Sequence, residues 1–201
     1  MIFRLIKKLL LLIASVVLLS ACGESDPVIE DIRKQGKLIV LTRNSPTTYY
    51  LDANDEPAGF EYDLSKALAD SLNVEVEYKL YDNIEEIMAA INKGEGHVVA
   101  AGLTQTDNRA LNQTFGPGYK TVQQQVVCHR KINMPKEAGD LLERSILIIA
   151  ESSYQESLLE LKESYPELAW QVTSDLSTEQ VLDKVENKAV DCTVIDSNIM
   201  S

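Results

Sequence analysis

From Pro27 onward two hydrophobic periods take turns along the chain. Segments with apolar residues three and four apart read as helices, and short continuous or alternating apolar runs read as strands. "PVIEDIRKQG" predicts a helix entered at Pro27 and stopped by Gly36. "KLIVLT" is a continuous apolar strand, and "NSPTTYYLDANDEPAGF" is a loop with an extended piece at 49–51 and a turn near Asn54 and Asp55. "EYDLSKALADSL" puts Leu64, Ala67, Leu68 and Leu72 on one helical face, with Asn73 closing it. Then come the alternating strand "VEVEYKL", the amphipathic helix "NIEEIMAAINKG" and the strand "HVVAA". The order is βαβαβ, which predicts a mostly parallel sheet with right-handed crossovers.

The extended run "YKTVQQQVVCHRK" follows with no helix to return it. A second series then begins: strand "SILIIA", helix "SSYQESLLELKESY", strand "AWQVT", helix "STEQVLDKVENK", strand "DCTVI". The repeated rhythm predicts an α/β protein of two similar lobes joined by a strand-like hinge at "QQQVVC". Lobe one is expected over 28–122, and the hinge strand with lobe two over 123–201. The second series stops at its third strand, so the second lobe is expected to be incomplete.

Ahead of this lies a different pattern. Arg4, Lys7 and Lys8 precede an apolar run at 9–19, the length of a signal peptide rather than of a membrane span. It closes on Leu19-Ser20-Ala21-Cys22, which resembles a bacterial lipobox. The expectation is therefore a leader over 1–21, a lipidated Cys22 that anchors the protein, and a tether over 22–27. Gly23, in place of Asp, points to the outer membrane, with the inner membrane as the alternative. The whole chain carries a formal charge of −12, and the leader's three charges are all positive, so the rest is more acidic still. Such a surface argues against nucleic acid and anionic lipid as partners. Cys128 and Cys192 each sit in an apolar strand-like run, and two buried free thiols are expected rather than a pair.

The polar chemistry collects where strands end. In open parallel sheets, ligands bind outside the carboxyl ends of strands. "HVVAA" runs directly into Gly102, then Thr104, Gln105, Thr106, Asp107, Asn108 and Arg109. "TRNSPTTYY", "ESSY" and "DSN" follow three other strands. Tyr49 and Tyr50 are the expected aromatic wall, one stacking and one packing, because neighbours in an extended chain face opposite ways. Ser152 and Ser153 open a helix whose free N–H groups suit an anion; N-capping, with Glu156 completing a capping box on Ser153, is compatible with that. Arg43 is expected to point outward as a solvated charge; turned inward, it would add a second guanidinium and favour a more anionic ligand.

"GFEYDLSKALADSLNV", "AAGLTQTDNR" and "VDCTVIDS" resemble the signature stretches of the family 3 periplasmic solute-binding proteins, from about Gly36 to Ser201. "LTRNSPTTYY", "SSYQESLLELKESYPEL" and "IDSN" further resemble the N-terminal half of membrane-bound lytic murein transglycosylases, where a solute-binding-like module precedes a lysozyme-like catalytic domain. The resemblance implies a two-lobe, type II periplasmic-binding-protein-like fold. It implies ligand contacts at Gly102, Thr104 and Arg109, with Arg109 gripping a carboxylate through a two-pronged fork. Asp196 matches an aspartate that receives a ligand ammonium, and a plain turn aspartate is the other reading. Glu151 departs from the family, which often has glycine there.

No metal-ligand spacing, phosphate loop or nucleophile set stands in the sequence, and His97 and His129 lie far apart within strands. No cofactor is expected. Glu85 and Glu86 read as solvated, so no active site for glycoside cleavage is expected. The favoured function is the ligand-binding, regulatory module of a lipid-anchored, wall-cleaving transglycosylase, taking a small anionic or zwitterionic ligand such as an amino acid or murein peptide. The alternatives are a stand-alone amino-acid-binding lipoprotein of an importer, and a cyclic-acid dehydratase with Glu151 as general acid.

Overall fold

The computed structural model describes residues 26–199, so the leader and Cys22 lie outside the described residues. Helix α1 (Pro27–Gln35) starts as its sequence dictates: the Asp26 carboxylate accepts the Val28 N–H at 2.8 Å, and Gly36 closes it in the left-handed region at φ 71°. Strand β1 (Lys37–Thr42) follows, then a small antiparallel hairpin, β2 (Tyr50–Leu51) with β3 (Pro57–Ala58). Helix α2 (Phe60–Leu72), strand β4 (Glu75–Leu80), helix α3 (Ile84–Asn92) and strand β5 (Val98–Val99) complete the first lobe's frame. Its sheet is parallel, in the order β4-β1-β5, with Val40 opposite both Tyr78 and Val98.

β1 reads as a continuous apolar run because both its faces are covered. Leu38 and Val40 pack with Ile32 and Ala69, whereas Ile39 and Leu41 pack with Ile87, Ala90 and Ala101. Helix α2 corrects an expectation. It buries Glu61, Ser65 and Ala69, while Leu64 and Leu68 remain 48% and 42% exposed. Polar partners turn the helix: the Ser65 hydroxyl lies 2.9 Å from the Tyr78 hydroxyl, and Glu61 accepts two hydrogen bonds described below.

A four-residue helix α4 (Asp107–Ala110), which no periodicity announced, precedes an irregular stretch leading to β6 (Gln124–Cys128). A 3₁₀ turn (Ala138–Leu141) then leads into β7 (Leu147–Ile149), α5 (Ser153–Ser164), β8 (Gln171–Thr173), α6 (Thr178–Glu186) and β9 (Cys192–Asp196). β7 and β8 are parallel, β6 and β9 antiparallel, and a bridge between Ile146 and Cys192 joins the two pairs. The second core gathers Ile146, Ile148, Tyr154, Leu158, Leu168 and Val194.

The β6–β9 register sets Cys128 directly opposite Cys192, and the two form a disulfide. This overturns the free-thiol expectation: two separately apolar strands prove to be neighbours in register. At the other end of the same ladder Gln124 faces Asp196, which places Asp196 at the seam between the lobes.

Candidate functional site

The carboxyl ends of β1, β5, β7 and β9 and the first turns of α3, α5 and α6 converge on one crevice. Its lining includes Arg43, Gly102, Thr104, Arg109, Ser152, Ser153, Tyr154, Thr178 and Asp196, with Ile84, Leu103 and Ile149 as apolar flanks. The space measures about 330 Å³, part of it open to solvent.

Arg109 is the centre of the arrangement and is only 9% exposed. Thr106 caps α4 by accepting the Arg109 N–H at 3.2 Å, and this fixes where the side chain departs. Nη1 donates to the Thr104 carbonyl at 2.8 Å, within lobe one. Nη2 donates across the cleft to the Glu151 carbonyl at 2.7 Å. Glu156 stands 3.9 Å from Nε. Burial lowers the guanidinium's pKa and the Glu156 and Glu151 charges oppose that, but arginine keeps its proton in any protein environment.

Arg43 points into the crevice, contrary to the expectation of a solvated charge. Its Nε donates to the Ala101 carbonyl at 3.2 Å, and the Thr48 hydroxyl pins its own carbonyl at 2.7 Å. Burial lowers its pKa, while Tyr154 and the Glu179 and Glu61 carboxylates oppose the shift. The lobe-one wall thus presents two guanidiniums.

Asp196 faces them from lobe two at 8% exposure, and its Oδ1 has no hydrogen-bond partner among the described residues. Burial pushes its pKa up, and the Tyr154 and Thr104 hydroxyls and the Arg109 charge counteract this. The Tyr154 hydroxyl oxygen also accepts the Asp196 N–H at 3.1 Å. Tyr154 itself is driven above the ordinary phenol range, first by burial and then by the Asp196 charge. A buried carboxylate oxygen without a donor, set opposite guanidiniums, suits a ligand that carries both charges.

Gly102 has φ 67°, where a side chain would be strained, and its N–H donates to Glu61 Oε2 at 2.7 Å. Glu61 also accepts the Tyr119 O–H at 2.6 Å. Burial raises the Glu61 pKa, while these two hydrogen bonds and the Arg43 charge hold it down. A buried carboxylate therefore ties α2, the loop after β5 and the inter-lobe connection together.

The crevice brings Gly102, Thr104, Arg109, Ser152, Ser153 and Asp196 together. It leaves out the expected aromatic wall. Tyr49 packs in lobe one against Tyr62 and Tyr78, with ring centroids 5.8 and 5.3 Å away, and Tyr50 lies on the exposed hairpin. Thr48, not a tyrosine, approaches Gly102. The helix cap is also corrected: Ser152, not Ser153, caps α5 by accepting the Gln155 N–H, and Glu156 turns to Arg109. The Ser152 hydroxyl donates to the Ile149 carbonyl at 2.6 Å. Glu151 is exposed and is not among the residues lining the crevice. Tyr154 and Thr178 went unread in the sequence. Their only signal was a position just after the cap serines Ser152 and Ser177.

This architecture, two α/β lobes facing each other across a cleft lined by strand ends, defines a solute-binding class of protein. The chain belongs to the bacterial extracellular solute-binding proteins, family 3, which match it over residues 38–168. It is similar to the membrane-bound lytic murein transglycosylase F of Ectopseudomonas mendocina, with 36% identity over 192 residues. That alignment takes in 94% of this chain and 39% of the relative, so the chain spans about two-fifths of the relative's length. Among solved structures, a mutant of ArgBP from T. maritima superposes with a TM-score of 0.74 at 22% identity, covering 86% of this chain and 73% of that one. An ancestral amino-acid-binding protein, a precursor of cyclohexadienyl dehydratase, matches with the same TM-score at 24% identity, over 85% and 75% of the two chains. The fold is the type II periplasmic-binding-protein fold.

Proposed function

We propose that this chain is the ligand-sensing module of a membrane-anchored enzyme of murein turnover, and that its crevice captures a small zwitterion bearing an extra carboxylate. One observation carries the ligand reading. Arg109 and the unpartnered Asp196 Oδ1 meet in a single buried crevice from opposite lobes. A ligand carboxylate on Arg109 and its ammonium on Asp196 would hold the two lobes together. Both contacts join charged groups shielded from solvent, where hydrogen bonds are strongest.

Arg43 sets the preference. The solved neighbours include an ancestral arginine-binding protein bound to arginine. A basic side chain in this crevice would meet a second guanidinium, whereas an acidic one would be neutralised by it. The ligand class is therefore an acidic amino acid, free or as the acidic end of a murein peptide. Gly102, Thr104, Ser152 and Ser153 complete the polar lining; Tyr49 and Tyr50 take no part.

The similarity to transglycosylase F over almost the whole described chain supports the placement in murein turnover. Lipidation at Cys22 and an outer-membrane, periplasm-facing location complete the reading. Thermal-shift titration of the full chain in mild detergent, against acidic, neutral and basic amino acids and soluble murein peptides, tests the ligand. Stabilisation by acidic ligands is expected, and stabilisation by arginine alone would overturn the assignment. Sequencing the gene past codon 201 tests the context. A lysozyme-like region in frame is expected, and neighbouring permease and ATPase genes would instead favour a stand-alone receptor of an importer.

A further inference from the structure

A hydrogen-bonded latch and an apolar seam act in the same direction across the cleft. The Arg109 guanidinium spans the lobes, with one nitrogen on the Thr104 carbonyl and the other on the Glu151 carbonyl. Glu151 holds φ at 55°, a left-handed conformation that a residue with a side chain rarely adopts. Its N–H reaches Gln155 Oε1 at 3.3 Å, and the backbone turned this way presents its carbonyl to the crevice. Beside this bond runs an apolar seam. Ile84, Met88 and Leu103 of lobe one pack with Leu147, Ile149, Val181 and Val185 of lobe two. The crevice itself has room for about one water.

We propose that the Glu151 carbonyl oxygen is a built-in substitute for a ligand carboxylate, so that Arg109 latches the two lobes shut in the resting protein. The latch and the seam do together what a ligand does in an ordinary two-lobe receptor. The guanidinium gains a desolvated acceptor in lobe two, and the seam removes apolar surface from water. A ligand then enters by exchanging its carboxylate for the Glu151 carbonyl rather than by drawing two open lobes together. Ligand arrival is thereby coupled to the turn that opens α5, where the Glu151 carbonyl is released from Arg109. Closure stands on the geometry alone; the exchange step rests on the carboxylate role proposed for Arg109 above.

Hydrogen–deuterium exchange read by mass spectrometry tests the latch without any ligand. The full chain, in mild detergent, is compared with Arg109→Lys, which keeps the charge but cannot fork to two carbonyls, and with Arg109→Ala. In the unsubstituted protein, peptides covering 102–109 and 150–156 are expected to exchange slowly. In both variants the same two segments should speed up by about tenfold, the equivalent of one lost hydrogen bond from a charged donor, while amides of β1 and β7 stay protected. Ile84→Ser, which weakens the seam and leaves Arg109 in place, should accelerate the same pair of segments. Rapid exchange of both segments in the ligand-free, unsubstituted protein overturns the proposal, whatever the variants do. L-glutamate added to that protein should bring little new protection; strong new protection would mean lobes that rest open. A protein that is latched but shows no thermal shift with L-glutamate keeps the latch and refutes the ligand.

Discussion

Reducing the Cys128–Cys192 disulfide perturbs the fold at a point where the consequence can be sized. The bond joins residues separated by 64 positions, closing a loop that contains β7, α5, β8 and α6. On the chain-entropy account, freeing a loop of that length returns about 4 kcal/mol to the unfolded state at 25 °C. Cys192 is fully buried in the second core, and both partners lie in the β6–β9 ladder, so the reduced protein keeps its strand pairing and loses mainly the restraint on the unfolded chain. With a urea m-value of about 2 kcal/mol/M for a chain of this size, the midpoint should fall by roughly 2 M. The assay is urea denaturation followed by far-UV circular dichroism, with and without a phosphine reductant, beside the Cys128→Ser/Cys192→Ser double variant. The double variant should match the reduced protein and be indifferent to reductant. Coincident midpoints would refute the reasoning, as would labelling of both cysteines by a thiol reagent in unreduced, denatured protein.

Two further outcomes follow from the crevice and a third from the buried Glu61 behind it. Asp196→Asn should raise stability at neutral pH while weakening any ammonium-bearing ligand. Burial lifts the Asp196 pKa above its unfolded value, so its ionised form works against folding, and that penalty vanishes below about pH 4. Urea midpoints of the two proteins should therefore differ at neutral pH and converge in acid. Arg43→Glu should reverse the charge preference of the site: at about 5 Å and an effective dielectric of about 20, one charge contributes roughly 3 kcal/mol. Titration calorimetry with glutamate and arginine reads that reversal, and an unchanged order of affinity would count against Arg43 facing the ligand. Tyr119→Phe removes one donor from the buried Glu61 carboxylate and should cost about 1.5 kcal/mol in chemical denaturation; a neutral result would mean that water replaces it.

The alternation of periods made the βαβαβ order legible because each strand is bounded by turn chemistry and each helix by a cap. Asp26, Pro27 and Gly36 around α1 are an example. Arg109 was legible as a crevice residue because an apolar strand delivers it at a short, fixed offset. What stayed hidden was set by contacts distant in sequence. No local pattern puts Cys128 opposite Cys192, since register is a property of two strands at once. The burial of Glu61 instead of Leu64 depends on Gly102 and Tyr119, which arrive from other parts of the chain. Arg43 turns inward because Ala101 offers it a carbonyl, and Tyr49 turns away because Tyr62 and Tyr78 form an aromatic nest. The misplaced cap at Ser153 shows the limit of motif spacing: a capping box fits the sequence there, yet Arg109 recruits Glu156 from across the cleft.

The central claim is that the Arg109 guanidinium grips a ligand carboxylate between the lobes. Isothermal titration of L-glutamate into the full chain and into Arg109→Ala measures it most directly. Loss of a desolvated charge pair predicts affinity weaker by about 2–4 kcal/mol, or roughly 30- to 900-fold. Equal affinities in the two proteins would contradict the account.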